Sequence, residues 1–417
     1  MMIQAFYTGV SGLKNNSTGI DVIANNIANV STVGFRGYNT EFASLFEDAI
    51  STGTIAGQNT GTGVKVQTTS MMTEQGALTQ SDRSTDLAIQ GNGWFGVVNN
   101  GDTVYTRDGT FSFDSESNLV TPDGFHLTGT MAGNIGKNDT LTSKVDSLML
   151  GDIKAQEALR FPKTLTYPPE PTTNATFFAN LGVGSEAVTV SATVIDPQNN
   201  KNRLRLEFIK NENQVLPGSQ YTVTATTASA DGSSIYDTQT GVIKFNEFGA
   251  LSSNTLTTIE NNGSSVSIDL GTGYDGIISI DKPLVSGSSK VNGTIGGDLV
   301  GYTVNENAEV VATFSNSQQS VVGKIAVYHF TNEQGLERIS GTRFQATDNS
   351  GKAIFYKDAE GNNITGAHVA NFRLETSNVE LSYGLTELII LQRSYDANSK
   401  SITTADQMMQ KALDMDA

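Results

Sequence analysis

The chain has no cysteine among its 417 residues. Disulfides, thiolate metal sites and cysteine nucleophiles are excluded together. A protein of this size then depends on buried surface and on neighbouring subunits for stability. Cations are also scarce: 26 Lys and Arg stand against 43 Asp and Glu, a net charge of −17 at pH 7. That balance argues against a nucleic-acid partner, which calls for a basic surface to meet phosphates. The acidic residues are dispersed without an acidic tail, and their general effect is solubility. No apolar run reaches the roughly 20 residues of a transmembrane helix. The opening segment, Met1 to Gly19, lacks the basic and continuous apolar regions of a secretory signal peptide. This leaves either the cytoplasm or export by a signal-independent route.

What is present divides the chain into ends and middle. The 42 glycines, with abundant Thr, Ser and Asn, suit turn-rich β structure. The two ends depart from that bias. Ile3, Phe6, Val10, Leu13, Ile20, Ala24 and Ile27 fall on steps of three and four, interrupted only by Ser17, which is a heptad stripe. Gly9, Gly12 and Gly19 each weaken an isolated helix by about 1 kcal/mol relative to Ala, so this helix is expected to form only when packed. The last forty residues repeat the pattern with Leu381, Leu385, Leu388, Tyr395, Ile402, Met409 and Leu413; Ser377 or Asn378 offers an N-cap. No proline follows Pro283, so nothing breaks this helix.

Between the ends the period changes to two. Residues 85–113 read as short strands with turns at Asn99-Asn100-Gly101 and Arg107-Asp108-Gly109. The cluster Tyr167-Pro168-Pro169-Glu170-Pro171 reads as a domain boundary. Strands follow through 172–297, among them Gly241 to Asn246, then a Gly/Ser-rich return from Ser286 to Gly297, then strands again over 298–375. The expected fold is mainly β with paired terminal α-helices and nested, discontinuous β domains. Residues 1–30 and 376–417 form a helical core, 31–70 a linker, 71–171 and 298–375 one β domain, and 172–297 a second β domain inserted into it.

Signals for chemistry are weak. Gly91-Asn92-Gly93-Trp94-Phe95-Gly96 is a literal G-x-G-x-x-G, but a dinucleotide site needs a helix after it, and here a strand follows. The reading is a glycine-rich bend with Trp94 and Phe95 in a core or interface. His126, His329 and His368 have no metal-ligand or triad spacing. Asp114, Glu116 and Asn118 resemble the start of a calcium loop, but Leu119 stands at the glycine position and Phe125 at the glutamate position, so a hairpin turn fits better. No carboxylate pair stands out from the background as a glycosidase site. No catalytic residue, cofactor, metal or small-molecule substrate is assigned.

One further pattern is specific. Asp21 to Arg36, with Asn25-Asn26-Ile27-Ala28-Asn29, Thr32, Gly34 and Phe35 at its centre, resembles the N-terminal signature of the bacterial flagellar rod and hook axial protein family. Ser377 to Leu381 and Gln392 to Ser399 resemble that family's closing helix, and Asp86 to Phe95 resembles its first shared β segment. Pro171 to Leu181, Gly301 to Asn316 and Ile325 to Leu336 resemble the hook branch of the family. The resemblance implies a self-assembling tubular polymer that transmits torque while bending, located in the flagellar hook outside the cell after type III export. It implies terminal helices lining a channel, Phe6 and Val10 engaging the export gate, and contacts with the distal rod protein, the hook cap and the hook–filament junction protein. The alternatives are a distal rod subunit and, from another class, an extracellular β-rich adhesin or carbohydrate-active enzyme.

Overall fold

The computed structural model of the chain describes residues 2–45, 63–99, 101–214, 216–281 and 287–415. Two long helices stand at the ends, α1 (Met2–Ala28) and α2 (Leu381–Met415), and the described residues between them are strands, turns and two short 3-10 turns. Gly9 faces Ile402, Gly12 faces Asn398, Gly19 faces Leu391 and Ile27 faces Gly384, so the helices run antiparallel.

Residues 31–70, expected as a linker, contain two strands. Tyr38–Leu45 and Gly63–Met71 pair antiparallel, from Tyr38↔Met71 to Leu45↔Gly63; residues 46–62 lie outside the described range. This ribbon lies on α1. Asn15 Nδ2 donates to the Val64 carbonyl (2.6 Å), Asn15 Oδ1 accepts from Val66 N (2.9 Å), and Ser11 Oγ accepts from Val64 N (3.0 Å). The ribbon's outer partner is thus a row of polar helix side chains. Its own residues are largely polar and exposed, which removes the alternation by which a strand announces itself.

The first β body is built from both sides of the chain. Gly297–Val304, Glu309–Phe314 and Gln319–Ile325 form an antiparallel meander whose last strand pairs with His126–Met131, Lys324 opposite Thr130. His126–Met131 pairs with Trp94–Asn99, which continues into Asp102–Thr106 and then Arg343–Gln345. Asn99 opposes Asp102 and Gly101 takes φ +98°, as hairpin geometry requires; Asn100 of the expected turn lies outside the described residues. One core joins residues before and after the middle of the chain, Phe95, Phe111, Leu127 and Tyr167 meeting Phe314, Ile325 and Val327.

The second β body is a sandwich. A five-stranded antiparallel sheet runs in chain order from Val188–Ile195 through Lys201–Lys210, Ser219–Ser229 and Ile235–Phe245 to Leu251–Asn254. It packs through a shared core on a six-stranded sheet of shorter strands centred on Asn174–Asn180. All buried members of its core lie between Ala175 and Ile277, so the insertion read from the sequence is present in the packing. The strand expected from Gly241 begins earlier, at Ile235. Its first half is polar and pairs with equally polar Thr224 and Thr226, so the apolar pattern showed only the second half. The crossover between bodies is short. Tyr167 is buried in the first core, Thr172 N already donates to Ile195 O in the second, and Glu170 and Thr294 exchange backbone hydrogen bonds of 2.8 and 2.9 Å.

Candidate assembly interface

The helix pair closes on its glycines. A Cβ on Gly9 would lie 2.7 Å from Ile402 Cγ1, one on Gly12 2.7 Å from Asn398 Nδ2, and one on Gly19 2.8 Å from Leu391 Cδ1. The residues that weaken α1 in isolation are the ones that let α2 approach. The seam on α1 therefore runs through Gly9, Gly12, Gly19, Ile23 and Asn26, all buried. It is offset by one residue, about 100° of helix rotation, from much of the apolar stripe Phe6, Val10, Leu13 and Ile20. On α2 the matching seam is Gly384, Leu388, Leu391, Asn398, Ile402, Ala405 and Met409, buried or half-buried.

The offset leaves apolar side chains without an intramolecular partner. Val10 is 42 % exposed and Tyr7 66 %, while Phe6, Leu13, Ile20 and Ile27 are half-buried. On α2, Leu381, Leu385 and Tyr395 are exposed, and Ile389 and Ile390 are each 57 % exposed. The first three turns of α2 are mostly apolar on the flanks of the seam; beyond Leu391 polar Arg393, Asp396, Lys400, Thr404 and Gln407 are exposed, along with Tyr395, Met408 and Leu413. Burying each exposed Leu, Ile or Val in a neighbouring copy would contribute about 1.5–3 kcal/mol at most.

A compact joint ties the helix pair to the first β body. Asn26, buried at the end of α1, pairs with the Tyr38 backbone as a strand would: Nδ2 donates to Tyr38 O (2.7 Å) and Oδ1 accepts from Tyr38 N (3.0 Å). Asn29 Nδ2 donates to both oxygens of Asn25, and Thr32 Oγ1 donates to Asn29 Oδ1, closing the last turn. Asn25 and Ala28 are exposed. Asn378, expected as a cap of α2, instead bridges segments: its Oδ1 accepts from Gly37 N (2.8 Å) and its Nδ2 donates to Met72 O and Glu74 O. It lies three residues before the helix, too far for its side chain to reach the free N–H groups.

At the centre of the joint, Glu375 receives Arg36 at 2.9 Å and Arg107 at 3.1 Å, all three side chains 2 % exposed. Glu375 Oε1 also accepts from Gly76 N. Burial, with the Arg107 charge beside it, pushes Arg36 down to about 10 against the pull of Glu375. Burial also lowers Arg107. The Arg338 guanidinium lies over Phe35 (4.4 Å) and Tyr38 (4.6 Å) and donates to the Arg36 carbonyl. The Arg107–Glu375 partners are 268 residues apart, so no local pattern marks them. Gly34 is required twice over. Its φ is +66°, and an added Cβ would lie 2.3 Å from Asp108 N. Gly34→Ala should lose more than the roughly 1–2 kcal/mol of left-handed backbone strain, read as a lowered urea midpoint; an unchanged midpoint would mean the loop relaxes freely.

The other candidate sites are structural. Gly91 and Gly93 take φ of +102° and +132°, and Trp94 and Phe95 enter a buried strand, Trp94 edge-on to Phe344 at 4.9 Å. Asp114 caps its own turn, accepting from Glu116 N and Asn118 N at 2.8 Å. Asp196–Asn200 and Asp358–Asn362 repeat the device. His126 is half-buried and His368 exposed. Among the described residues, no group of three or more His, Asp and Glu is arranged to hold a metal. His329 is buried, stacked 4.2 Å from Tyr356, with Nε2–H donating to Thr365 O (2.6 Å) and Nδ1 unpartnered. Burial, aided by Arg107, lowers its pKa despite the Thr365 bond and the nearby Glu333. A depressed folded-state pKa means that stability is full above the unfolded value near 6.5 and falls as pH drops through it. Between pH 7 and 5 the wild type should lose stability faster than His329→Gln; parallel curves would contradict this.

Similarity to known proteins follows these elements. Residues 6–36 match the family described as flagella basal body rod protein, residues 88–158 the flagellar hook protein FlgE/F/G D1 domain, and residues 371–415 the flagellar basal body rod FlgEFG protein C-terminal family. The flagellar hook protein FlgE of Salmonella typhimurium is 31 % identical over 424 residues, covering 97 % of this chain and 98 % of its own. That of Escherichia coli K12 is 32 % identical over 425 residues, with the same coverage. The crystal structure of Helicobacter pylori flagellar hook protein FlgE2 superposes with a TM-score of 0.54 at 16 % identity, covering 72 % of this chain and all of that one, which supports the fold. With both helices, the joint and the intervening β bodies spanned by full-length relatives, the chain belongs to the flagellar hook protein family.

Proposed function

We propose that this chain is the repeating subunit of a flagellar hook, polymerising with copies of itself into a flexible tube that carries torque from the rod to the filament. The observation that carries this reading is the apolar flank left open on an otherwise paired set of terminal helices, Val10, Leu385, Ile389 and Ile390 foremost. Residues 1–30 and 376–417 would form the inner layer around a channel, 71–171 with 298–375 the wall, and 172–297 the outer surface. The polar residues exposed on α2 beyond Leu391, Arg393, Asp396, Lys400, Thr404 and Gln407, suit a water-filled lumen. Phe6 and Val10 would engage the type III export gate before assembly, and the assembled tube would lie outside the cell. The distal rod protein, hook cap and hook–filament junction protein would be its end partners. The reading assigns no catalysis, cofactor or small-molecule substrate.

Electron microscopy of two purified proteins tests it: the full chain, and a chain lacking residues 1–30 and 380–417. The full chain should form tubes and the truncated chain should stay monomeric with its β signal intact. Tubes from the truncated chain would overturn the assignment of assembly to the helices.

A further inference from the structure

The five-stranded sheet of the second β body turns one face to solvent, and that face is basic. Along Lys201–Lys210, Asn202, Leu204, Leu206 and Phe208 are buried, so Lys201, Arg203, Arg205 and Glu207 point outward. The same face is carried across the sheet by Ser191↔Arg205, Arg205↔Thr226 and Thr226↔Thr238. Lys244 joins it, standing between buried Ile243 and Phe245. Four cations thus meet one acid, Glu207, which lies 3.4 Å from Arg205. Among the described residues Lys201, Arg203 and Lys244 form no ion pair. In a chain of net charge −17 this face is the exception.

The opposite sheet of the same sandwich has the other sign. Glu260 points outward between buried Ile259 and Asn261, and Asp269 follows buried Ile268. Lys290 is the one cation among the strands of that sheet. We propose that the basic face of one copy docks on the Glu260/Asp269 face of the next, an inference that rests on the polymer reading above. Two complementary faces on opposite sides of one body make a head-to-tail contact, the kind that builds rings and helical tubes instead of closed twofold dimers. Apart from half-exposed Ile209, the basic face is hydroxyl-rich, with Thr224, Thr226, Thr238 and Thr240 where a tight interface would place large apolar anchors. Such a contact is held by screened charge, and it can shift as the tube bends without breaking buried packing.

The test uses full-length tubes, followed by light scattering on heating, at low salt and at about 0.5 M salt, where screening acts within a few ångströms. Tubes of R203E/R205E should dissociate at a lower temperature than wild type at low salt. The gap should close at high salt. Adding E260K/D269K should restore the wild-type dissociation temperature. Wild-type behaviour of R203E/R205E at low salt would overturn the proposal, as would failure of the charge swap to restore it. Unchanged tubes that instead lose retention on heparin resin would assign the face to an anionic polysaccharide and equally overturn it. If the wild-type chain forms no tubes, the polymer reading itself fails.

Discussion

Glu375→Ala is expected to cost the first β body about 3–5 kcal/mol, the usual penalty when one partner of a buried ion pair is removed. Here one carboxylate serves two guanidiniums, Arg36 and Arg107, and each side chain of the three is 2 % exposed. Removing it strands two positive charges beside each other, and burial already works against both. Arg36 keeps a bond to the Glu74 carbonyl and Arg107 one to the Gly91 carbonyl (2.8 Å), but neither supplies charge. Glu375→Gln should lose nearly as much, because it restores shape without the anion, and its NH2 group cannot accept the N–H bonds that one carboxylate oxygen received. The single tryptophan reports on this region directly: Trp94 is buried, with Arg107 5.6 Å from its ring. Urea unfolding followed by Trp94 fluorescence measures the loss without requiring that the whole chain unfold as one unit. A loss under about 1 kcal/mol would mean that water reaches the joint and screens the pair.

Gly12→Val is expected to abolish tube formation while leaving the Trp94 transition unchanged. The new Cβ would sit 2.7–2.8 Å from three atoms of the Asn398 side chain, at the middle of the seam. Intrinsic propensity runs the other way, since replacing a helical glycine favours an isolated helix by a few tenths to about 1 kcal/mol. The substitution thus separates two accounts of Gly12. If glycine is there only as a weak helix former, Gly12→Val assembles at least as well as wild type. If it is there for close approach, assembly is lost. Gly12→Ala should be intermediate, and combining it with Asn398→Ala should recover assembly, because the atoms it strikes are gone. Tube yield by electron microscopy, with helix content by circular dichroism, distinguishes these outcomes.

The fold was legible where burial imposes a period. Alternating runs such as Leu204, Leu206 and Phe208 each lie in a core, and the helices lie where the steps of three and four placed them. The nesting was legible because the prolines at Pro168, Pro169 and Pro171 coincide with the four-residue crossover. The ribbon Tyr38–Leu45 with Gly63–Met71 was not, because it satisfies its backbone on polar groups of α1, which imposes no apolar pattern. The site was legible only in part. A heptad reading finds helices that need partners, but it takes apolar positions as the seam. On α1 the glycines Gly9, Gly12 and Gly19 form the intramolecular seam and much of the apolar stripe lies beside it, whereas on α2 the stripe residues Leu388, Ile402 and Met409 lie in the seam with Asn398. Arg107 and Glu375 were invisible for a different reason: an isolated charged residue reads as solvated until the fold brings its partner, 268 residues away, to 3.1 Å.

The most direct test of the account is a cryo-electron microscopy map of tubes assembled from the full chain, read at four side chains. Val10, Leu385, Ile389 and Ile390 are exposed in the single chain. The account predicts that each is buried against helices of neighbouring copies, with the Gly9–Ile402 and Gly12–Asn398 contacts preserved within each copy. Tubes in which those four side chains face solvent, or in which α1 packs on another copy's α2 in place of its own, would contradict it.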